Sequence, residues 1–360
     1  YSLSVVYCMG RHMRVFLLFA VALFVGLSSV VSVVHASTLT VCGIGGGCGY
    51  TTINSALPAS AEGDVVEVQG GGDTPYDPTG EVWGFGINFP NVSSTLTCTG
   101  GAVISQTDPT GMNYISLFTS STVSGCTFGN VTFRIDDNVT PVSGIRIVNN
   151  TFGGTTTGTI EIAGGASNFE ISGNTNLNFI DFMNSTSTNG LIENNSFYGN
   201  RPSWGDIMLR TSASSSQIRI INNIFTSYVP SSASAQVAVK INGSDQTFAT
   251  NTIKYAVTPP ATMYETLMFY ASGTNYIGGN FIDIPEIASA VGIGVWKPDD
   301  QPWVSNYTIT HNTIRATGAA TGCTGITYTD GYGFSTFTSS TVDFSYNLIY
   351  SDTDVPCGAP

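Results

Sequence analysis

The sequence predicts an all-β protein that folds as a right-handed parallel β-helix of about nine coils with a short N-terminal capping helix. Three observations lead to this prediction. A short motif with a central asparagine recurs along the chain, and a second apolar strand recurs between its copies. The composition is that of a stacked β structure, since 41 of 360 residues are Gly and only 10% are charged, whereas a typical soluble domain has about 25% charged residues.

The asparagine motif has an apolar residue three positions before a fixed Asn and, in nearly every copy, another two positions after it. The fixed asparagines are Asn130 (in a weaker copy), Asn150, Asn174, Asn195, Asn223, Asn251, Asn280, Asn312 and Asn347. Their spacing drifts from 20 to 35 residues, which indicates one coil per copy with loops of increasing length. We expect each fixed Asn to adopt the left-handed turn conformation and the amides to form a hydrogen-bonded ladder.

The second strand recurs at 160–162, 180–182, 207–209, 237–239, 267–269, 293–295 and 326–328. Side chains alternate between the two faces of a strand, so the first and third residue of each segment should face the core. The outward positions on and beside this strand are then Glu161, Asp181, Met208, Arg210, Ala238, Lys240, Met268, Tyr270, Gly294 and Trp296.

The charge balance excludes several classes of protein. The chain has 11 Lys and Arg against 24 Asp and Glu, a net charge of −13. Such an acidic chain has no basic surface for nucleic acid. With 42% hydrophobic and 11% aromatic residues, it has enough apolar material for a folded core, which argues against disorder.

The first 36 residues resemble a targeting segment. Met13 and Arg14 precede twenty residues without a formal charge, and Val34-His35-Ala36 follows the small-x-small pattern of a cleavage site. We expect a signal peptide at 1–36 and a single β-helix domain at 37–360, either secreted or held at the cell surface, with no stable membrane insertion after cleavage. A transmembrane anchor is the alternative interpretation of the same apolar run.

Six cysteines remain after that segment, and the oxidising secretory route favours three disulfides. Six cysteines allow fifteen pairings. Proximity in sequence favours Cys42–Cys48, Cys98–Cys126 and Cys323–Cys357. Zinc is a weaker alternative, because no pair has the C-x-x-C spacing and one histidine, His311, remains after residue 36.

The stretch from Cys42 through Tyr50 and Ile53, followed by Gly63-Asp64-Val65-Val66, resembles the opening of secreted pectin-lyase-like β-helix proteins. The asparagine motif resembles the repeats of the same family, and the resemblance covers roughly residues 40–350. It implies a short helix that caps the N-terminal end of the solenoid and a ligand bound along one exposed sheet face. It does not specify an activity, because this architecture serves lyases, hydrolases, adhesins and inert surface proteins.

Charged and aromatic side chains concentrate at the outward positions of the second strand. We predict Arg210, Lys240, Glu161 and Asp181 as catalytic candidates and Tyr270, Trp296 and Lys297 as substrate-binding residues. Aromatic faces stack on sugar rings, whereas Arg and Lys neutralise the carboxylates of uronates. Coils about 4.8 Å apart would spread these residues over roughly 24 Å, a length suited to an extended polymer. A solvated face with no ligand is the alternative.

The predicted function is recognition or processing of an extracellular polysaccharide, by a lyase or a glycosidase if the protein is catalytic. The galacturonase-like motifs Asn-Thr-Asp and Gly-His-Gly are absent from the sequence. The paired aspartates at 136–137 and 299–300 lack these companions, so each pair is either a loop feature or a weak Ca²⁺ site; no other cofactor is expected. A non-catalytic adhesin-like or structural β-helix is the competing class, and we expect a monomer.

Overall fold

Every coil contributes a strand to as many as three sheet faces, and corresponding strands of successive coils pair in parallel. The computed structural model describes residues 36–72, 76–81, 86–90, 92–105, 114–135, 142–153, 158–183, 185–199, 207–227, 237–255, 265–284, 290–296, 305–316, 324–329 and 341–351. Along one coil the order is A face, asparagine corner, C face, B face, second corner and A face again, as in 146–172. The predicted parallel β-helix is confirmed.

The A face contains the strand before each ladder asparagine. Its strands, each paired in parallel with the next, are Thr38–Val41, Val65–Gln69, Thr95–Thr99, Thr122–Ser124, Arg146–Val148, Glu170–Ser172, Leu191–Glu193, Arg219–Ile221, Thr247–Ala249, the second half of Glu265–Gly278, Ser305–Thr310 and Thr341–Ser345. The stack therefore begins well before the first asparagine motif.

The B face contains the second strand of the sequence pattern. Its strands are Ile87–Asn88, Tyr114–Leu117, Thr132–Ile135, Thr159–Ile162, Phe179–Asp181, Leu209–Arg210, Val237–Ser244, the first half of Glu265–Gly278, Val291–Trp296 and Thr324–Thr329. A short parallel pair, Val142–Ser143 with Ala166–Ser167, follows it near the second corner.

The C face follows the ladder asparagine. It consists of Val103–Ser105, Thr127–Gly129 and Thr151–Gly153 in one sheet. The strands of a second sheet are Ser196–Gly199, Ile224–Ser227, Thr252–Tyr255, Phe281–Ile284, Thr313–Ala316 and Leu348–Ser351.

The asparagine ladder is confirmed from Asn150 to Asn347. Asn223 Oδ1 accepts hydrogen bonds from both Asn195 N and Asn195 Nδ2 at 3.0 Å, and the same two contacts repeat at every step of the ladder. Each Nδ2 also donates to a backbone carbonyl, such as Asn223 Nδ2 to Ile192 O at 2.9 Å. The ladder therefore provides hydrogen-bond partners for amides buried inside a corner, where water has no access.

The turn geometry differs from the prediction in one respect. The residue with positive φ is not the ladder asparagine but the residue before it, for example Asn222 (φ 56°) before Asn223. The full set is Asn149, Gly173, Asn194, Asn222, Thr250, Gly279, His311 and Tyr346. The ladder amide must point inward to meet its neighbours, so the preceding residue makes the left-handed turn and faces solvent.

Asn130 was wrongly assigned to the ladder. It has a φ of 51° in the turn after Thr127–Gly129, at a different corner. In that coil Cys126 occupies the ladder position, because its backbone N–H donates to Asn150 Oδ1 at 3.1 Å.

The interior of the solenoid is apolar and aligned from coil to coil. Ile145 and Ile147 are fully buried whereas Arg146 between them is exposed, as the alternation predicts. Phe197, Phe225 and Phe248 form a stack with ring centroids 4.4 and 6.1 Å apart. Burial of side chains of this size contributes about 1.5–3 kcal/mol each, so the core is the main source of stability.

A short helix, Ile53–Ala56, packs its buried Ile53 and Ala56 against the first coils and confirms the predicted N-terminal helix. Thr52 caps it by accepting from Ser55 N, and the buried Glu81 accepts from Ile53 N and Asn54 N at 2.8 Å. Two 3₁₀ turns, Leu57–Ala59 and Pro78–Gly80, flank this region. The helix therefore covers apolar surface that a bare first coil would leave exposed.

Two of the predicted disulfides, Cys42–Cys48 and Cys98–Cys126, are confirmed. The third, Cys323–Cys357, lies outside the described residues, as does the predicted signal peptide up to residue 35. The division into 1–36 and 37–360 therefore stays a prediction. Among the described residues, no helix combines the length and the hydropathy that a bilayer span requires.

Candidate functional site

Charged side chains from successive coils align in one column on the outer surface of the B face. The strand register pairs Arg134 with Glu161, and the column continues through Asp181, Arg210, Lys240, Met268, Gly294 and Thr327. We call this column, together with Tyr270 and Trp296, the B strip. The structure thus brings the four predicted catalytic candidates onto adjacent coils, in the predicted order.

Asp181 and Arg210 form a bidentate salt bridge. Arg210 Nε and Nη2 donate to Asp181 Oδ1 and Oδ2 at 2.8 and 2.7 Å. The side chain of Asp181 is 1% exposed and that of Arg210 is 25% exposed. Both oxygens of this carboxylate thus already accept hydrogen bonds from a cation, so the carboxylate is engaged within the protein.

Glu161 lies between Arg134 and Asp181 in the register and is buried. The guanidinium carbon of Arg134 lies 5.5 Å from the centre of the Tyr114 ring. Arg134 was missed by the sequence analysis because its strand precedes the first complete asparagine motif. Two carboxylates bracketed by two arginines form a charge-balanced cluster, in which the cations offset the cost of burying the anions.

Lys240 follows Arg210 in the column and is partly exposed. Burial and the neighbouring Arg210 charge lower its pKa, whereas the charge of Glu265 acts in the opposite direction. A lysine in this setting loses its proton at a lower pH than one in water, which makes the amine more available as a base.

Glu265 is a site residue that the sequence analysis missed. It is 6% exposed, and its Oε1 accepts a hydrogen bond from Trp296 Nε1 at 3.0 Å. Burial raises its pKa, while the Trp296 hydrogen bond and the Lys240 charge lower it. The sequence contains no signal for Glu265 as a site residue. It lies two residues before the core residue Leu267, and strand alternation therefore predicts an inward side chain at this position.

The predicted substrate-binding residues are placed in part. Tyr270 pairs with Asn242, and extending the pairing of Phe269 with Val295 by one residue brings Tyr270 beside Trp296. Both aromatic side chains are partly exposed. Lys297 lies outside the described residues.

Several predicted outward positions are buried: besides Glu161, Asp181 and Gly294, this is true of Met208 and Ala238. Met208 is 0% exposed and Ala238 is 1% exposed, although each lies two residues before a strip residue on the same face of the strand. Phe179 and Thr266 occupy equivalent positions and are also buried. The exposed part of the B strip is therefore narrower than the alternation of the strand predicted.

Within the described ranges, no group of three or more His, Cys, Asp or Glu side chains has an arrangement that could hold a metal ion. The paired aspartates at 136–137 and 299–300 lie outside those ranges. The Ca²⁺ alternative therefore stays a prediction.

No protein-family model matches the chain, and no curated protein matches it. Among solved structures, the Dettilon tailspike protein matches with 12% sequence identity and a TM-score of 0.39. The match covers 81% of this chain but only 64% of the tailspike chain, less than two thirds of its length. A likeness this distant carries no argument about function, and the class of the molecule rests on its own parallel β-helix and B strip.

Proposed function

We propose that the protein is secreted and binds an extracellular polysaccharide that contains uronate residues along the B strip. The observation that carries this proposal is the alignment of two cations, Arg210 and Lys240, with two aromatic side chains, Tyr270 and Trp296, on neighbouring coils. A cation can pair with a sugar carboxylate while an aromatic ring supports the sugar face.

The geometry of the strip favours a linear ligand. From Glu161 to Trp296 the register advances five coils, roughly 24 Å at about 4.8 Å per coil. A polymer with a repeating charge could contact several coils in turn, so many weak contacts would add up. The resemblance of the sequence to pectin-lyase-like proteins supports the same class of ligand.

The location is part of the proposal. The disulfides Cys42–Cys48 and Cys98–Cys126 support an oxidising compartment. We propose that residues 1–36 direct the chain into that compartment and that 37–360 form the polysaccharide-binding domain.

A lyase activity is the catalytic form that the described residues support best. In a β-elimination, a base removes the proton on the carbon next to the uronate carboxylate, a double bond forms, and the glycosidic C–O bond breaks as its oxygen takes a proton from the protonated base or from water. Lys240 is the candidate base because its pKa is lowered by burial and by Arg210. Arg210 is the candidate for stabilising the negative charge that develops on the carboxylate.

Two other classes have weaker support. For a glycosidase, Glu161 and Asp181 are adjacent in register, but both are buried and Asp181 is paired with Arg210. A non-catalytic surface or structural β-helix accounts for the ladder and the core equally well. It gives no reason for a partly buried lysine between two coils of charged side chains.

The test is retention of the protein on immobilised polyuronates and on neutral polysaccharides. We expect retention on one acidic polymer and a loss of affinity of about tenfold or more in Lys240→Ala, since each lost factor of ten corresponds to about 1.4 kcal/mol. The matched control is Lys254→Ala, an exposed cation on the C face, which should bind normally.

Catalysis is read in the same experiment. New ultraviolet absorbance from unsaturated uronate that is lost in Lys240→Ala supports a lyase. New reducing ends without that absorbance move the chemistry to a hydrolase. Absence of retention on every polymer tested, or equal losses in the two lysine variants, refutes binding along the B strip.

A further inference from the structure

The carboxylate of Glu265 links side chains of two other coils at the centre of the B strip. Its Oε1 accepts from the indole N–H of Trp296 at 3.0 Å, on the coil that follows. Its charge also acts on Lys240, on the coil that precedes. A carboxylate only 6% exposed is costly to bury, so these two partners are what make its position tolerable.

Gly294 provides the space in which Glu265 and Trp296 meet. A Cβ added to Gly294 would lie 2.6 Å from Glu265 Cγ and 3.2 Å from Trp296 Nε1. Gly294 occupies a column position that Glu161, Asp181, Arg210, Lys240 and Met268 fill in the preceding coils. The missing side chain thus opens a slot in an otherwise filled column, and the hydrogen-bonded pair occupies it.

The contact restricts the indole. A Trp side chain on a sheet surface has several rotamers, whereas a hydrogen bond from its single N–H to a buried acceptor selects one of them. The ring is therefore held over Gly294, two coils from Lys240, or about 9.6 Å along the axis. One ligand segment can reach both groups.

We infer that Glu265 is a positioning residue of the B strip: its hydrogen bond holds the Trp296 indole in one arrangement, and its charge offsets that of Arg210 at Lys240, so that the strip accepts an acidic sugar segment. This inference relies on the proposed function for the identity of the ligand. One sugar face rests on Trp296, and the carboxylate of another uronate in the same segment points toward Lys240. Glu265 itself does not touch the ligand, and its negative charge disfavours a carboxylate placed directly on the slot.

The positioning role is tested first without any ligand. In protein with ¹⁵N-labelled tryptophan, Trp296→Phe identifies the Trp296 indole signal. Glu265→Leu removes the acceptor and should shift that signal, whereas Glu265→Gln retains a carbonyl acceptor and should shift it less. Gly294→Ala, which crowds the slot but keeps the carboxylate, should shift it as Glu265→Leu does.

The link to Lys240 is tested by the rate at which an amine-acylating reagent modifies that lysine, followed by peptide mass spectrometry. Without the Glu265 charge, Arg210 and burial act unopposed, so the pKa of Lys240 falls and more of the amine is unprotonated. We expect the rate at neutral pH to rise about 3- to 10-fold in Glu265→Gln, since one pKa unit is a factor of ten. Glu193→Gln, on the A face, is the matched control and should leave both readouts unchanged.

An unshifted indole signal in Glu265→Leu, or an unchanged acylation rate in Glu265→Gln, overturns the inference whatever the protein binds. Affinity for the uronate polymer supplies the second arm. Trp296→Phe and Glu265→Leu should each weaken binding. The double variant should weaken it by no more than the larger of the two single effects, because both substitutions remove the same positioned indole. If the ligand-free readouts behave as expected and no polymer binds, the proposed function fails and the positioning contact stands.

Discussion

The carboxylate of Asp181 accepts two hydrogen bonds from the guanidinium of Arg210 on the next coil, and Asp181 is almost completely buried. Two residues that the sequence analysis assigned to catalysis therefore hold each other on the B face. Their pairing stabilises the arrangement that presents Lys240, so variants at either position should be examined first for folding.

We expect Asp181→Ala to lower the free energy of unfolding by about 3 kcal/mol, because it removes the carboxylate that accepts two hydrogen bonds from a largely buried guanidinium. Asp181→Ala combined with Arg210→Met should recover part of that loss. Denaturant unfolding curves measure both. Asp283→Ala breaks the more exposed Arg315 pair and should cost less. Equal effects at the two sites would contradict this account.

The asparagine ladder predicts that the loss of stability on replacing an asparagine depends on its position in the ladder. Asn223→Ala removes an acceptor for Asn195 N and Nδ2 and a donor to Ile192 O in a fully buried corner. We expect a loss of about 3 kcal/mol, since each buried group left unpaired costs about 1–3 kcal/mol. Asn347→Ala, at the last described step of the ladder and only partly buried, should cost less than half as much. Equal losses in the free energy of unfolding along the ladder would contradict cooperative stacking.

Among the described turn residues of the asparagine corner, Thr250 is the one with a β-branched side chain. Thr250 has a φ of 54°, a region in which a β-branched side chain is strained. We expect Thr250→Asn to raise the free energy of unfolding by about 0.5–1 kcal/mol, because Asn tolerates this conformation. The same substitution at Thr252, in a C-face strand, should be neutral or destabilising. Urea midpoints compare the two variants.

Asp64 predicts acid sensitivity of the N-terminal coils. Its carboxylate accepts from Ser37 N, Ala61 N and Ser37 Oγ, and these hydrogen bonds lower its pKa. The stabilisation is complete above the ordinary pKa of an Asp and is lost as the pH falls through the lowered value. Asp64→Asn should therefore lower Tm at neutral pH, and the difference from the unmodified chain should shrink in acid. A Tm difference that does not change with pH would contradict this assignment.

The pattern of the sequence predicted the coils because it is repeated and local. Ile147 to Asn150 forms a strand and a corner in each copy, so the same residues indicate the same structure eight times. What the pattern did not contain was the direction of each turn. Asn223 and Asn222 are adjacent asparagines, and only the inward hydrogen bonds distinguish the ladder member from the turn residue.

The sequence predicted those residues of the candidate site whose orientation follows strand alternation, and it did not predict those whose orientation departs from it. Arg210 and Lys240 are outward by alternation and lie on the B strip. Glu265 joins the strip because Gly294 leaves a slot in the next coil, a relationship between distant positions that no local pattern encodes. Met208 has an outward position but is covered, which alternation alone cannot reveal.

The asparagine ladder has a further consequence for how this molecule can change over time. The separation between successive ladder asparagines ranges from 21 to 35 residues, yet each step keeps the same pair of hydrogen bonds. Lengthening a flexible loop costs little free energy, only about 0.6 kcal/mol per doubling. Insertions on either side of the B-face strand can therefore accumulate without disturbing the pitch of the coil. Mutations can therefore change the length and sequence of these connections, and so alter ligand preference, while the scaffold keeps its register.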